Sequence, residues 1–380
     1  MSIKNAKKVI LELKKNGYEA YMVGGAVRDR LLKIPITDVD ITTNARPYQV
    51  AKMFKTVPTG IKYGTVTVMY SDEQFEVTTY RIDGEYSDNR HPETVIYSDE
   101  VEQDVMRRDF TINGLLMDEN EEIFDYVNGI SDLKNKLIRT IGNPEDRFNE
   151  DALRLLRAFH FQSKLGFQIE EETFQAIKDF RNLIKEVSRE RVLAEIIKIL
   201  QGEDVLLAFQ SLIDTKMIEM LPGLEKGVKH FLSINEKPYV DVFFTISFAL
   251  HGFIPKEWNF SNKHRNRYEI AANLTRSKSD FDPITLYTYG LDHALLANRA
   301  MTMLKYSSNR KQEIEDAYKN LKIQSLLDLK LRAPEIIKIA NKKAGAWVRE
   351  LQEKMVIEIL NNRLENKREA LIDFIKKSLE

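Results

Sequence analysis

The chain has 380 residues, 57 basic against 58 acidic, a formal net charge of −1, 43% apolar residues and no cysteine. Its length calls for more than one core, its apolar content can build them, and a disordered chain, a collagen or an ordinary coiled coil is excluded. The missing cysteines exclude disulfides, thiolate zinc sites and thiol nucleophiles.

Ile3, Ala6, Ile10 and Leu13 recur at helical spacing, with lysines on the other faces, and predict a helix over 3–15. A strand over 18–23 runs into Gly24-Gly25, and a short helix follows over 26–32. Residues 39–42 and 65–70 are β-rich. Over 74–80, Phe75, Val77 and Thr79 alternate onto one face. The polar stretch 81–92, RIDGEYSDNRHP, predicts a mobile loop. Short strands are expected again around 115–117 and 123–126.

Beyond Gly142-Asn143-Pro144 the alternation fades and helical spacing takes over, as in Leu153, Leu156, Phe159, then Val192, Ile196, Ile199, then Val356, Ile357, Leu360. The predicted fold class is therefore α+β, a mixed sheet with helices followed by an all-helical arm. Neither a repeat nor a low-complexity linker is visible. The start lacks an apolar run of signal-peptide type, and Val242 to Leu250 is far too short to span a bilayer. A soluble, cytoplasmic protein with no membrane partner is expected. Charge is uneven: residues 1–150 carry 20 basic and 26 acidic residues, residues 301–380 carry 17 and 12. A basic C-terminal end fits a polyanionic partner as well as it fits a solvated helical surface.

Two constellations carry chemistry. The first is Gly24-Gly25-Ala26-Val27-Arg28-Asp29, followed by Asp38-Val39-Asp40. On a strand, positions 38 and 40 face the same side, and two carboxylates there repel unless a cation lies between them. Magnesium takes oxygen ligands and keeps phosphate oxygens in its shell. Glycines at a strand-to-helix turn let backbone N–H groups approach a phosphate, and Arg28 offers a fork suited to it. The second is Glu150-Asp151-Ala152-Leu153-Arg154-Leu155-Leu156-Arg157. Read as one helix, it puts Asp151 and Arg154 on one face at i and i+3. An ordinary helical ion pair has the same spacing. A carboxylate beside a guanidinium also matches the edge that cytosine and adenine share, an amine next to a bare ring nitrogen, and mismatches uracil and guanine.

Strand, Gly-Gly, helix and D-x-D in this order resemble the DNA polymerase beta nucleotidyltransferase superfamily. GGAVRD, DVD, RRDFTIN at 107–113, EDALRLLRA at 150–158 and SRERVLAE at 188–195 together resemble the five motifs of class II, bacterial-type CCA-adding tRNA nucleotidyltransferases. The resemblance implies template-independent addition of C, C and A to the tRNA 3′ end from CTP and ATP by two-ion magnesium chemistry, with the base chosen by an Asp/Arg pair. It implies a seahorse-like chain: a catalytic nucleotidyltransferase head (1–142), a helical neck (143–200), a body (201–275) and a tail that holds tRNA (276–380).

Carried over by position, Asp38 and Asp40 are the catalytic metal ligands, and Glu76 is the candidate third carboxylate. Gly24, Gly25 and Arg28 hold triphosphate, Arg108 contacts the nucleotide, and Asn113 supports the sugar. Asp151 and Arg154 read the base, Arg157 supports the site, Glu150 orients Arg154, and Arg189, Arg191 and Glu195 brace the neck. Where the family often has arginine three residues after Arg157, this chain has His160, a weaker candidate for a nucleotide phosphate. The loop Asp83–Pro92 is linked in the family to the switch from C to A addition, and its presence favours full CCA addition. A poly(A) polymerase or a CC- or A-adding enzyme is the alternative within the family. A catalytically dead RNA-binding or nucleotide-sensing protein is the alternative from another class.

Overall fold

In the computed structural model, residues 2–83 and 95–378 are described. Most of the predicted loop 81–92 lies outside them. The first apolar stripe forms α1 (Ile3–Lys15), capped by Ser2 and burying Ala6, Val9, Ile10 and Leu13. It leads into β1 (Ala20–Val23), α2 (Gly25–Leu31), β2 (Asp40–Thr43) and α3 (Pro47–Met53). The strands β3 (Lys55–Gly60), β4 (Thr65–Tyr70) and β5 (Glu73–Thr79) follow. On β5 the predicted alternation holds: Phe75, Val77 and Thr79 are buried and Glu76 is exposed. Then come β6 (Arg81–Asp83), β7 (Val95–Tyr97), α4 (Val101–Met106), β8 (Leu116–Met117), β9 (Ile123–Phe124), α5 (Gly129–Asn135) and β10 (Leu137–Ile138).

Seven strands make one mixed sheet in the order β3-β4-β5-β2-β1-β8-β9. Its one parallel pair is β2 with β5, in a register that sets Asp40 beside Glu76 and Thr42 beside Thr78. On α4, Val101 and Val105 pack with Val23, Tyr80 and Leu116, which ties that helix to the sheet next to the Gly-Gly turn.

The helical part begins where expected. Asn143 caps α6 (Pro144–Glu150) by accepting from the Glu145 and Asp146 amides, and Pro144 occupies the first turn, where no donor is missed. Then follow α7 (Leu153–Leu165), β11 (Gln168–Ile169), α8 (Glu171–Phe180), α9 (Arg189–Gln201) and α10 (Val205–Asp214). The strand β11 was not expected here; it pairs in parallel with β10 and continues no longer sheet. The stripes Leu153, Leu156, Phe159 and Val192, Ile196, Ile199 are buried as predicted, and α7 packs along α9.

The remaining helices are α11 (Glu225–Ile234), α12 (Val240–His251), α13 (Asn262–Ser277), α14 (Pro283–Met303), α15 (Lys311–Lys319), α16 (Ala333–Ala340), α17 (Trp347–Leu360) and α18 (Arg368–Lys377). Val356 and Leu360 point inward on α17, whereas Ile357 is exposed. Gly290 interrupts α14 with φ +76°, open to an L side chain only at a cost.

By packing, the chain divides into two compact units. One comprises residues 1–222, 231–237 and 257–259; the other comprises 223–230, 238–256 and 260–380. In the second, Leu274, Leu286, Ala297 and Met301 centre one cluster, and Leu331, Ile336, Met355, Ile359 and Leu371 centre another. No helix among the described residues is long and apolar enough to cross a membrane.

Candidate active site

A cleft of about 340 Å3 in the first unit is lined by Gly24, Gly25, Arg28, Asp40, Arg107, Arg108, Asp109, Asn113, Asp151, Arg154, Arg157 and Phe161. Gly24 turns the chain out of β1 with φ +74°, a conformation that L side chains rarely adopt. A Cβ there would meet Arg108 Nη1 at 3.5 Å, an ordinary contact, so it is the positive φ rather than space that calls for glycine.

Arg28, next on α2, is only 2% exposed. Its Nε and Nη2 approach Asp29 Oδ1 at 2.8 and 2.7 Å, and its Nη1 donates to Asn113 Oδ1. Lys164, from α7, donates to the other oxygen of Asp29 at 3.0 Å. Asn113 in turn donates to Asp109 Oδ1 at 3.0 Å, and Arg157 Nε donates to Asp109 Oδ2 at 2.7 Å. Burial pushes the Asp109 carboxyl up, but Arg157 and the donors Asn113 and Phe110 N–H hold it down at about 2. The Arg28 and Arg157 guanidiniums each lie 5.1 Å from the Phe161 ring centre. Cations from α2, from the turn after α4 and from α7 thus line one cleft, the kind of grouping that suits a polyphosphate.

Asp40 opens β2, whereas Asp38 stands in the segment before it, so the two carboxylates do not share one strand as the spacing suggested. Both are exposed and flank buried Val39. A second carboxylate beside Asp40 is Glu76, its register partner on β5. Asp40 reaches solvent at its edge but is hemmed in by protein on its other sides; that desolvation raises its carboxyl, Glu76 adds to it, Arg108 opposes, and Asp38 adds a little more. Asp40 and Glu76, side by side in the sheet, are hard oxygen donors of the type a divalent cation takes. Among the described residues no three acidic or histidine side chains form a complete cage.

The single helix read through Glu150–Arg157 breaks at Asp151, which adopts φ −140° and ψ 99° between α6 and α7. Asp151 and Arg154 are therefore not an i, i+3 pair on one helix, yet both still line the cleft. Asp151 accepts from Leu153 N at 3.1 Å and from Arg191 Nη2 at 3.0 Å, the latter reaching over from α9. Arg154, 7% exposed, donates to Glu150 Oε2 at 2.6 Å, to Arg147 O at 3.0 Å and to Arg107 O at 2.7 Å. Glu150 is thus in contact with Arg154, and Arg191 on α9 with Asp151.

His160 is absent from the cleft wall. Its Nδ1 lies 3.1 Å from Glu195 Oε2, and its ring stacks on Phe161 at 4.9 Å. Burial lowers its pKa, against the pull of Glu195. Glu195 also takes Lys198 Nζ at 2.7 Å and, despite burial, is held at about 2 by His160, Lys198 and Arg157. A neutral histidine facing α9 supports Phe161 from behind. Asp104, Asp109 and Phe161 were missed by sequence reasoning. Asp104 was within reach of it, since Asp104 on α4 and Arg108, two residues past its end, stand at i and i+4.

Three family profiles match the chain: a poly A polymerase head domain over residues 20–139, an RNA and SrmB binding site of polymerase A over 166–227, and tRNA nucleotidyltransferase domain 2 over 245–375. A CCA-adding enzyme of Bacillus cytotoxicus is 36% identical and covers 98% of both chains. One of Bacillus subtilis is 36% identical over 95% of this chain and 94% of its own. The crystal structure of the Bacillus stearothermophilus CCA-adding enzyme in complex with CTP is similar with a TM-score of 0.87 at 30% identity, covering 100% of this chain and 98% of that one.

Proposed function

Because the chain belongs to the CCA-adding enzymes, a family of tRNA nucleotidyltransferases, we propose that it adds C, C and A in turn to the tRNA 3′ end, using CTP and ATP and no nucleic acid template. The observation that carries this is that Asp151 and Arg154, the further arginines Arg28, Arg107, Arg108 and Arg157, and the carboxylate of Asp40 line one cleft. Asp151 offers acceptors to the exocyclic amine of C or A, and Arg154 offers donors to the ring nitrogen beside it. The carbonyls of Arg107 and Arg147, with Glu150, fix where that guanidinium points. Uracil and guanine would set carbonyl against carboxylate and N–H against guanidinium.

Arg108 and Arg28 receive the triphosphate, Asn113 holds Arg28 beside it, and the glycine turn lets phosphate approach backbone. Asp38, Asp40 and Glu76 would hold magnesium, two ions in turn neutralising the triphosphate and activating the 3′ hydroxyl. We assign residues 1–142 to the catalytic head, 143–200 to the neck, 201–275 to the body and 276–380 to a tail that meets tRNA. In that last segment Lys322, Lys330 and Arg332 line one recess and are exposed, as are Lys342 and Lys343. Backbone charge, rather than base sequence, is what such a surface recognises.

The test uses tRNA lacking its 3′ terminus with labelled CTP, ATP or both, and sequencing of the products. Termini of C-C-A and no longer are expected. Runs of A would identify a poly(A) polymerase, C-C alone a partial enzyme, and no incorporation a binding protein.

A further inference from the structure

Asp104, on α4, has no solvent exposure, and three side chains converge on it. Thr42, two residues beyond Asp40 on β2, donates Oγ1 to Oδ2 at 3.0 Å. Arg108 Nη2 donates to the same oxygen at 3.0 Å. Arg107 Nε donates to Oδ1 at 2.8 Å. A buried carboxylate is tolerated only where opposite charge and hydrogen bonds offset the loss of water. Here burial pushes the carboxyl up and the two guanidiniums bring it down to about 2, so it stays ionised at neutral pH.

Arg108 is thereby held by one terminal nitrogen. Its other, Nη1, lies at the Gly24 turn, and its Nε has no hydrogen-bond partner among the described residues. The guanidinium borders the cleft with donors to spare. A free arginine would lose side-chain entropy on meeting a ligand, and one tied down beforehand loses less.

We propose that Asp104 is a positioning residue for nucleotidyl transfer: it fastens the Arg108 guanidinium to the strand that carries Asp40, so that the cation meets the incoming nucleotide at a set distance from the metal-binding carboxylate. This rests on the cleft being the CCA-adding active site. The carboxylate itself touches no substrate. Its effect passes through Arg108 and is equal for CTP and ATP, because the triphosphate is common to both.

A double-mutant cycle on the full-length protein tests it, with steady-state kinetics for CTP, ATP and tRNA. Asp104→Asn keeps the shape but removes the charge and one acceptor. With Arg108 present, kcat/KM for both nucleotides should fall roughly ten- to a hundred-fold, carried mainly by KM for nucleotide, while KM for tRNA holds. In the Arg108→Ala background the same change should cost less than about three-fold. Thr42→Val removes the tie to β2, together with a longer 3.4 Å contact to the Thr78 carbonyl, and gives a second, milder cycle should Asp104→Asn fail to fold. An equal loss in both backgrounds overturns the proposal. If Arg108→Ala alone leaves nucleotide kinetics unchanged, the assignment of the cleft fails instead, and the two failures are told apart.

Discussion

Truncating Arg154 to alanine separates base reading from simple helix stabilisation. The side chain is 7% exposed and makes three hydrogen bonds, two to carbonyls and one to Glu150. Losing the two carbonyl contacts costs about 1 kcal/mol each, and the charged contact to Glu150 about 2 kcal/mol. Glu150 retains Arg147 as a partner, which limits the total to roughly 3–4 kcal/mol. For a unit of this size that lowers Tm by roughly 5–15 °C. An exposed helical ion pair would cost only a few tenths of a kcal/mol.

Catalysis carries the sharper signal. Loss of the donor to the ring nitrogen should cut CTP and ATP efficiency about ten- to a hundred-fold, and UTP and GTP efficiency less. Arg154→Lys keeps the charge but cannot reach Glu150 and both carbonyls together, so it should fall on the same side. The assay is steady-state kinetics with all four triphosphates on one tRNA ending before C-C-A, at a temperature where circular dichroism shows the variant folded. An unchanged ranking of the four nucleotides in a folded Arg154→Ala would refute base reading by this residue.

Asp40→Ala should abolish incorporation of both CTP and ATP while leaving tRNA affinity within a few-fold in filter binding, since the carboxylate serves the reaction and not the RNA. Arg191→Ala frees the Asp151 carboxylate and should lower CTP and ATP efficiency several-fold, with partial recovery in Arg191→Lys; identical kinetics would show that the α9 contact is only structural. Neutralising Lys342 and Lys343 should weaken tRNA binding and flatten its salt dependence by about one unit of slope per lost phosphate contact, as titrations at several ionic strengths would read. Asp104, Asp109 and Glu195 all sit at about 2 in the fold, below the ordinary carboxylate range near 4. Their stabilisation is complete above that range and is lost as pH falls towards 2. Urea unfolding should therefore show a loss of several kcal/mol between pH 5 and 2, and a flat profile there would contradict the buried pairing.

Local elements were legible because their causes are local. The stripe at Ile10 and Leu13, the alternation at Phe75 and Val77 and the Asn143-Pro144 helix start need only neighbours within a turn or two. The break at Asp151 was harder, because Asn149-Glu150-Asp151-Ala152 contains neither proline nor glycine. Asp151 nevertheless accepts from Leu153 N two residues on, a local turn for which aspartate is suited, and α7 begins just after it. Asp38 was placed on the strand by period-two reasoning, but β2 begins only at Asp40.

What the sequence determined by itself was the set of motifs, their order and the helices, strands and glycine turn that carry them. Partnership among the charges was decided by tertiary structure. Arg28 meets Asn113 across 85 residues, Arg157 meets Asp109 across 48, and Arg191 meets Asp151 across 40. His160, with Glu195 on the neighbouring helix and burial on its other side, faces away from the cleft that its place in the motif suggested. Periodicity reports which face of an element is buried. The ionisation and aim of a buried carboxylate or guanidinium depend on desolvation and on the few oppositely charged groups within about 3 Å of it, and only the folded chain brings those together.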